Sequence, residues 1–157
     1  MILEEFSNFC DDETLAVTAG TETQEGKSFD LGKAVPGDIG VGTPLYFVVM
    51  AATDIKSATG TCTLVINLVS DDSSTINVLE AKLHATRFVD VTTSSANKGD
   101  VLLAVQLPQE GEVYKQFLAV TAKPTGQDLA ADCKINAFLT RKPMAIRAYP
   151  DGAPTLA

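Results

Sequence analysis

The sequence predicts an all-β domain, an antiparallel β-sandwich or jelly roll of about eight strands with extended termini. Three observations predict it. Apolar residues recur with a period of two along several runs, as they do on half-buried strands. Clusters of Gly, Pro, Ser and Asp separate those runs at short intervals. Almost no stretch carries helical spacing. The chain has 157 residues, enough for one domain with a core that needs neither disulfide nor metal. At 45% hydrophobic and 20% charged, it falls among ordinary globular proteins rather than disordered ones.

The elements follow in order. Shorter strands are expected at Leu15 to Thr18, Ser28 to Leu31 and Arg87 to Val91. The continuous run Leu45-Tyr46-Phe47-Val48-Val49-Met50 suits a strand buried on both faces. In the run from Thr61 to Ser70, Cys62, Leu64, Ile66 and Leu68 share one face, and Asp71-Asp72-Ser73-Ser74 stops it. Ile76 to Leu83 has Ile76, Leu79 and Leu83 at helical spacing but is short, so it reads as a strand or one helical turn. Val101 to Leu107 ends at Pro108, and Gln116 to Thr121 is followed by Pro124 and Gly126. Finally Cys133, Ile135, Ala137 and Leu139 alternate with Lys134, Asn136, Phe138 and Thr140. No repeat or linker divides the chain, so residues 1–157 form one domain, with an N-terminal arm over 1–12 and a C-terminal tail over 148–157.

Charge narrows the partners. The formal net charge is -8, which repels nucleic-acid phosphates and anionic membranes in the absence of a basic patch. The acidity is uneven: Glu4, Glu5, Asp11, Asp12, Glu13, Glu22 and Glu25 all precede the first basic residue, Lys27. Lys134, Arg141, Lys142 and Arg147 gather near the other end. Those two regions are either solvated surface or complementary contact surfaces. Ile2, Leu3, Phe6 and Phe9 make an apolar set within the acidic start, and such side chains need a partner surface, the domain's own edge or another subunit. Three widely spaced cysteines offer neither a zinc framework nor a disulfide scaffold. The start has no signal-peptide pattern and no run reaches the ~20 apolar residues of a membrane span, so synthesis in a cytoplasm is expected.

No chemistry-bearing motif emerges. His84 is the sole histidine, which rules out a His-rich metal site, and a lone His reads as a surface or turn residue more readily than as a catalytic base. The nucleophile-elbow pattern is absent. Asp71-Asp72 fits a turn better than a calcium site or a carboxylate pair. Gly37 to Pro44 is glycine-rich, but it precedes a strand rather than opening a helix, so it is no phosphate cradle. Without Trp and with 6% aromatics, the chain offers no stacking platform for sugars or single-stranded nucleic acid. Catalytic residues, metal ligands and cofactors are therefore expected to be none.

Several stretches nonetheless carry a resemblance. Met1-Ile2-Leu3 with Phe9 and Asp12 to Thr18 form one. Phe29-Asp30-Leu31-Gly32, followed by Gly37-Asp38-Ile39-Gly40-Val41-Gly42-Thr43-Pro44-Leu45-Tyr46-Phe47-Val48-Val49, forms the second. Gly60-Thr61-Cys62-Thr63-Leu64 through Leu68-Val69-Ser70-Asp71-Asp72 forms the third. Together they resemble the bacteriophage capsid cement (head decoration) family typified by the Bordetella short-tailed phage, over the first half of the chain. The resemblance implies a jelly-roll structural protein on the outer surface of the virion, bridging adjacent major capsid subunits. It also implies self-association, as a homodimer first and a homotrimer second, without enzymatic activity. Ile2, Leu3, Phe6, Phe9, Arg141, Lys142, Arg147 and Tyr149 are then the candidate capsid or oligomer contacts. A β-sandwich adhesin that binds a host-surface glycan is the alternative.

Overall fold

Alternating burial is what turns these segments into sheets. In a computed structural model, which describes residues 8–32, 44–92, 96–108 and 113–141, eight strands form. They are β1 (Asn8–Thr14), β2 (Thr23–Asp30), β3 (Tyr46–Ala51), β4 (Cys62–Asp71), β5 (Lys82–Val91), β6 (Val101–Gln106), β7 (Phe117–Thr125) and β8 (Lys134–Thr140). All pairings are antiparallel. Sheet I has the order β1-β8-β3-β6 and sheet II the order β2-β7-β4-β5. The pairs are nested: β1 with β8, β2 with β7, β3 with β6, β4 with β5. Among consecutive strands only β4 and β5 stay in one sheet, so the chain passes back and forth across the core.

The core lies between the sheets. Cys62, Leu64, Ile66 and Leu68 of β4 are wholly buried, as are Cys133 just before β8 and Ile135 and Ala137 within it. Phe47 of β3 faces them, with Phe9 edge-on at 5.7 Å and Phe29 packed on Phe9 at 6.3 Å between ring centres. Each such large side chain contributes about 1.5–3 kcal/mol by leaving water. Sheet I also buries Val48 and Phe138 on its other face, beside Tyr46 and Met50. That explains why Leu45 to Met50 shows no alternation.

The structure corrects three expectations and resolves a fourth. β1 covers Asn8–Thr14, so the supposed arm is strand from residue 8 onward, and Leu15 to Thr18 follows the strand instead of forming it. Leu15 is fixed by its N–H to the Cys133 carbonyl, 3.0 Å. β7 runs on through Pro124 because β2 pairs only as far as Ala122. Beyond that point β7 has β4 alone at its side, and a missing N–H interrupts no second ladder. For Ile76 to Leu83 the alternative of one helical turn holds at the start, where the Asn77 carbonyl accepts the Glu80 and Ala81 N–H groups, while Lys82 and Leu83 open β5.

The two flanks of the sandwich differ. On one, β1 and β2 touch: the Cys10 thiol donates to the Glu25 carbonyl at 3.4 Å, and Gly26 lies so close that a Cβ there would stand 2.1 Å from the Phe9 carbonyl oxygen. Glu25 is buried at this seam, where it accepts from the Thr23 hydroxyl (2.8 Å) and the Ala16 N–H (3.3 Å). On the other flank β5 and β6 stand apart, with a groove of about 470 Å³ between them.

Candidate interaction surfaces

Only two of the residues expected at an interface fall within the described chain. Phe9 is 2% exposed and belongs to the core, because β1 turns it inward between Phe29 and Phe47. Its apolar partner is the domain itself, so it is removed from the contact set. Arg141 is exposed directly after β8. Ile2, Leu3, Phe6, Lys142, Arg147 and Tyr149 lie outside the described residues, as do Gly37 to Thr43. Asn8 sits opposite Phe138, near where β8 ends, so the segments before Asn8 and after Arg141 join the domain at the same end of sheet I.

His84 is no loose surface residue. It lies on β5, half-buried, with Nε2 2.7 Å from the Ser70 hydroxyl and its ring stacked on Tyr114 at 3.9 Å and 18°. Ser70 is fully buried, and its oxygen also accepts the Lys115 N–H at 2.9 Å. A Ser–His pair at this distance is the first half of an acyl-transfer site. Here, however, the hydroxyl is sealed from solvent, and no substrate carbonyl can reach it in this conformation. What the pair does is fasten the end of the β6–β7 connection to β4 and β5, with Tyr114 tied to the Pro108 carbonyl at 2.9 Å. Burial pushes the Tyr114 phenol up to about 12.

Asp71 organises the neighbouring loop. One carboxylate oxygen accepts its neighbour Asp72's N–H at 2.7 Å and the other accepts the Asn77 N–H at 2.8 Å. Lys115 adds its ammonium, 3.5 Å from Asp71 and 3.2 Å from Asp72. Burial works against the Asp71 charge, but the Asn77 and Asp72 donors and Lys115 outweigh it and hold the carboxyl below its usual range. The hydrogen bond to Asp72 leads the causes that raise Lys115. The Asp-Asp pair is thus a turn device, the role its position after a strand suggests. Among the described residues no group of three or more His, Cys, Asp or Glu is placed to hold a metal ion.

Around this rigid corner large apolar side chains point outward. Leu79 is 91% exposed, Val113 68% and Leu83 51%, and Phe88 farther along β5 is 64% exposed. The groove beside β5 is lined by Arg87, Phe88, Asp90, Asp100, Val101 and Leu102, among others. Sequence reading missed this flank. Phe88 and Leu83 look like ordinary strand residues, and only the strand order reveals that β5 is an edge.

On this geometry the protein is an all-β, two-sheet sandwich. No protein-family model matches the chain, and no curated protein is significantly similar to it.

Proposed function

We propose that this protein is a structural component of a tailed-phage virion that binds the capsid exterior and stabilises it by bridging adjacent major capsid subunits. The observation that carries this reading is that Leu79, Leu83, Phe88 and Val113, on β5 and the loops beside it, stay exposed next to a corner tied by Asp71, Ser70, His84 and Tyr114. Apolar side chains held out by a rigid frame lose little entropy on docking, which suits a clamp. Many copies on a lattice multiply modest contacts. The nested strand pairing supports a jelly-roll winding of the sandwich. The resemblance in Phe29 to Gly32 falls on a hydrogen-bonded turn, in which Asp30 accepts the Gly32 N–H at 2.8 Å and the Gln116 side chain at 3.1 Å.

A glycan-binding adhesin is the second reading. The groove on the β5–β6 flank favours it by placing one exposed aromatic ring, Phe88, beside the carboxylates of Asp90 and Asp100. Cryo-electron microscopy of the native particle separates the two. Density for this chain across capsomer junctions on the head is the expected result. Its absence from the head, or presence only at a tail tip, overturns the capsid reading in favour of the adhesin.

A further inference from the structure

We propose that the outer face of sheet II is a carbohydrate-binding surface, with the Phe88 ring as its apolar centre and neutral sugar rings as its ligand. The proposal goes beyond the capsid reading, and the surface lies on the sheet face beside the β5–β6 groove rather than in it. Register places its residues. On β4, Leu64, Ile66 and Leu68 enter the core, so Thr63, Val65 and Asn67 face outward. Thr63 has Asp90 of β5 on one side and Thr125 of β7 on the other, Val65 has Phe88 and Lys123, and Asn67 has Thr86 and Thr121. Three rows therefore cross the sheet, and the middle one holds a ring that is 64% exposed.

The polar rows on either side are already fastened, and the direction of each bond sets what they offer. Thr86 donates its hydroxyl hydrogen to the Asn67 amide oxygen at 2.7 Å, and the Asn67 amide donates to Glu22 at 3.0 Å. Thr121 donates to the same Glu22 oxygen at 2.5 Å, and Thr63 donates to Asp90 at 3.0 Å. All three hydroxyl hydrogens are thus committed to protein acceptors. What faces a ligand is the exposed Thr86 oxygen and the second carboxylate oxygens of Asp90 and half-buried Glu22, which hold no other bond among the described residues. A ligand that fits must bring donors. Because these groups are held before it arrives, its binding orders few further side chains.

Sugar rings answer both demands. Hydroxyls around the rim of a pyranose donate outward, and the C–H face between them is apolar and lies well against an aromatic ring. Along β5, Thr86 and Asp90 stand about 7 Å to either side of Phe88, so acceptors flank the ring as hydroxyls flank a C–H face. Val65 extends the apolar surface on the next strand, about 4.8 Å away. Charge narrows the class. Glu22 and Asp90 outnumber Lys123 on this face, which disfavours sulfated, phosphorylated and carboxylated sugars and leaves neutral ones. The loop after β4 bounds the face at one end, where Ile76 packs on Val69 and Ala119 and the Gln24 side chain accepts its N–H at 2.8 Å. Contacts of this kind are weak singly, and copies repeated on a particle multiply them.

An NMR titration of the isotope-labelled full chain tests the proposal without reference to any capsid, so its failure leaves the capsid reading standing. The probes are maltohexaose, cellohexaose and mannohexaose as neutral sugars, with sialyllactose and a heparin hexasaccharide as charged ones. At least one neutral sugar is expected to bind, with amide shifts centred on Val65, Thr86, Phe88 and Asp90. Phe88→Ala is expected to weaken that binding roughly tenfold, with an unchanged melting temperature because the ring is exposed. Leu83→Ser, which removes an exposed apolar side chain outside the three rows, is expected to bind as wild type does. Failure of every neutral sugar to bind, or shifts centred on Ala96 and Leu102 in the groove, overturns the proposal. So does a Phe88→Ala variant that binds as tightly as wild type, or tighter binding of a charged probe than of the neutral ones.

Discussion

Gly26 holds the closed flank of the sandwich, and replacing it with alanine should do more harm than replacing any other described glycine. Two costs arise separately. The backbone sits at φ +65°, in the left-handed region, where a Cβ costs roughly 1–2 kcal/mol. The added carbon would also stand 2.1 Å from the Phe9 carbonyl oxygen and 2.8 Å from the Cys10 sulfur. A carbonyl of the neighbouring strand cannot rotate aside, so β1 must retreat by more than an ångström. That retreat breaks the Cys10 thiol contact to Glu25 and loosens Phe9 from Phe47 and Phe29. Re-exposing a buried Phe costs about 1.5–3 kcal/mol. The total expected for Gly26→Ala is about 3 kcal/mol, which for a domain this long lowers the melting temperature by about 6–12 °C.

Gly20 provides the control. Its φ is +82°, yet an added Cβ meets nothing within 4 Å, so Gly20→Ala carries the backbone cost alone. Thermal and urea denaturation of both variants beside wild type separates the two contributions. If Gly26→Ala is no more destabilised than Gly20→Ala, β1 is not seated against β2 as described, and the contrast between a closed and an open flank falls with it.

Three further outcomes follow from the buried polar groups. Asp71→Asn puts an amide N–H against a backbone donor at Asn77 or Asp72 and should cost about 1–3 kcal/mol in urea denaturation; a loss of a few tenths would show that the loop is not held there. The same carboxylate, held below its usual range, adds stability above the ordinary Asp value that is lost as pH falls through its lowered native value. Glu25 has the opposite sign: burial raises its carboxyl, so the native state keeps a proton that the unfolded chain has released, and stability declines as pH rises through that window. Glu25→Gln keeps an oxygen for Thr23 and Ala16, and its advantage over wild type should be largest at neutral pH and shrink on acidification; parallel pH profiles would refute this. Burial pushes the Cys10 thiol up to about 12 and also raises Cys133, and all three cysteines are buried, so a thiol reagent at neutral pH should react slowly with native protein and with three thiols after unfolding. A fast-reacting thiol in the native state would contradict the packing.

The strands were legible where one physical signal dominated. Cys62, Leu64, Ile66 and Leu68 alternate with side chains on the other face, and a period of two admits only one inner face for them. β1 was hidden because Asp11, Asp12 and Glu13 mask its alternation. It is irregular too, with two register shifts against β8 and Asp12 at φ +50°, where the Asn136 side chain caps its N–H at 2.7 Å. Pro124 misled because proline forbids a ladder bond only where a second strand is present. The contacts among Ser70, His84, Tyr114 and Lys115 left no trace in the sequence. They arise from the pairing of β4 with β5 and from the way the β6–β7 connection returns to that corner, neither of which has a local signature.

The same distinction bears on where an interaction surface can be. Residues that look adhesive in the sequence are apolar side chains in polar surroundings, and Phe9 is one; folding consumes it, because a strand turns every second residue inward. Leu83 and Phe88 sit in a strand of ordinary composition and stay exposed, because β5 is the last strand of its sheet and a bulge returns Leu83 to the outer face. On the opposite flank Gly26 lets β1 and β2 close, which removes those edges from competition. Among the described residues, what remains open to a partner is therefore decided by topology: the β5–β6 flank, its corner, and the end of sheet I where residues 8 and 141 meet the rest of the chain. The clamp proposed here needs surfaces at separate places on one body, so that one can grip a neighbour while another grips a different one. A sandwich closed along one flank and open along the other supplies such a body together with two separate places from which to bind.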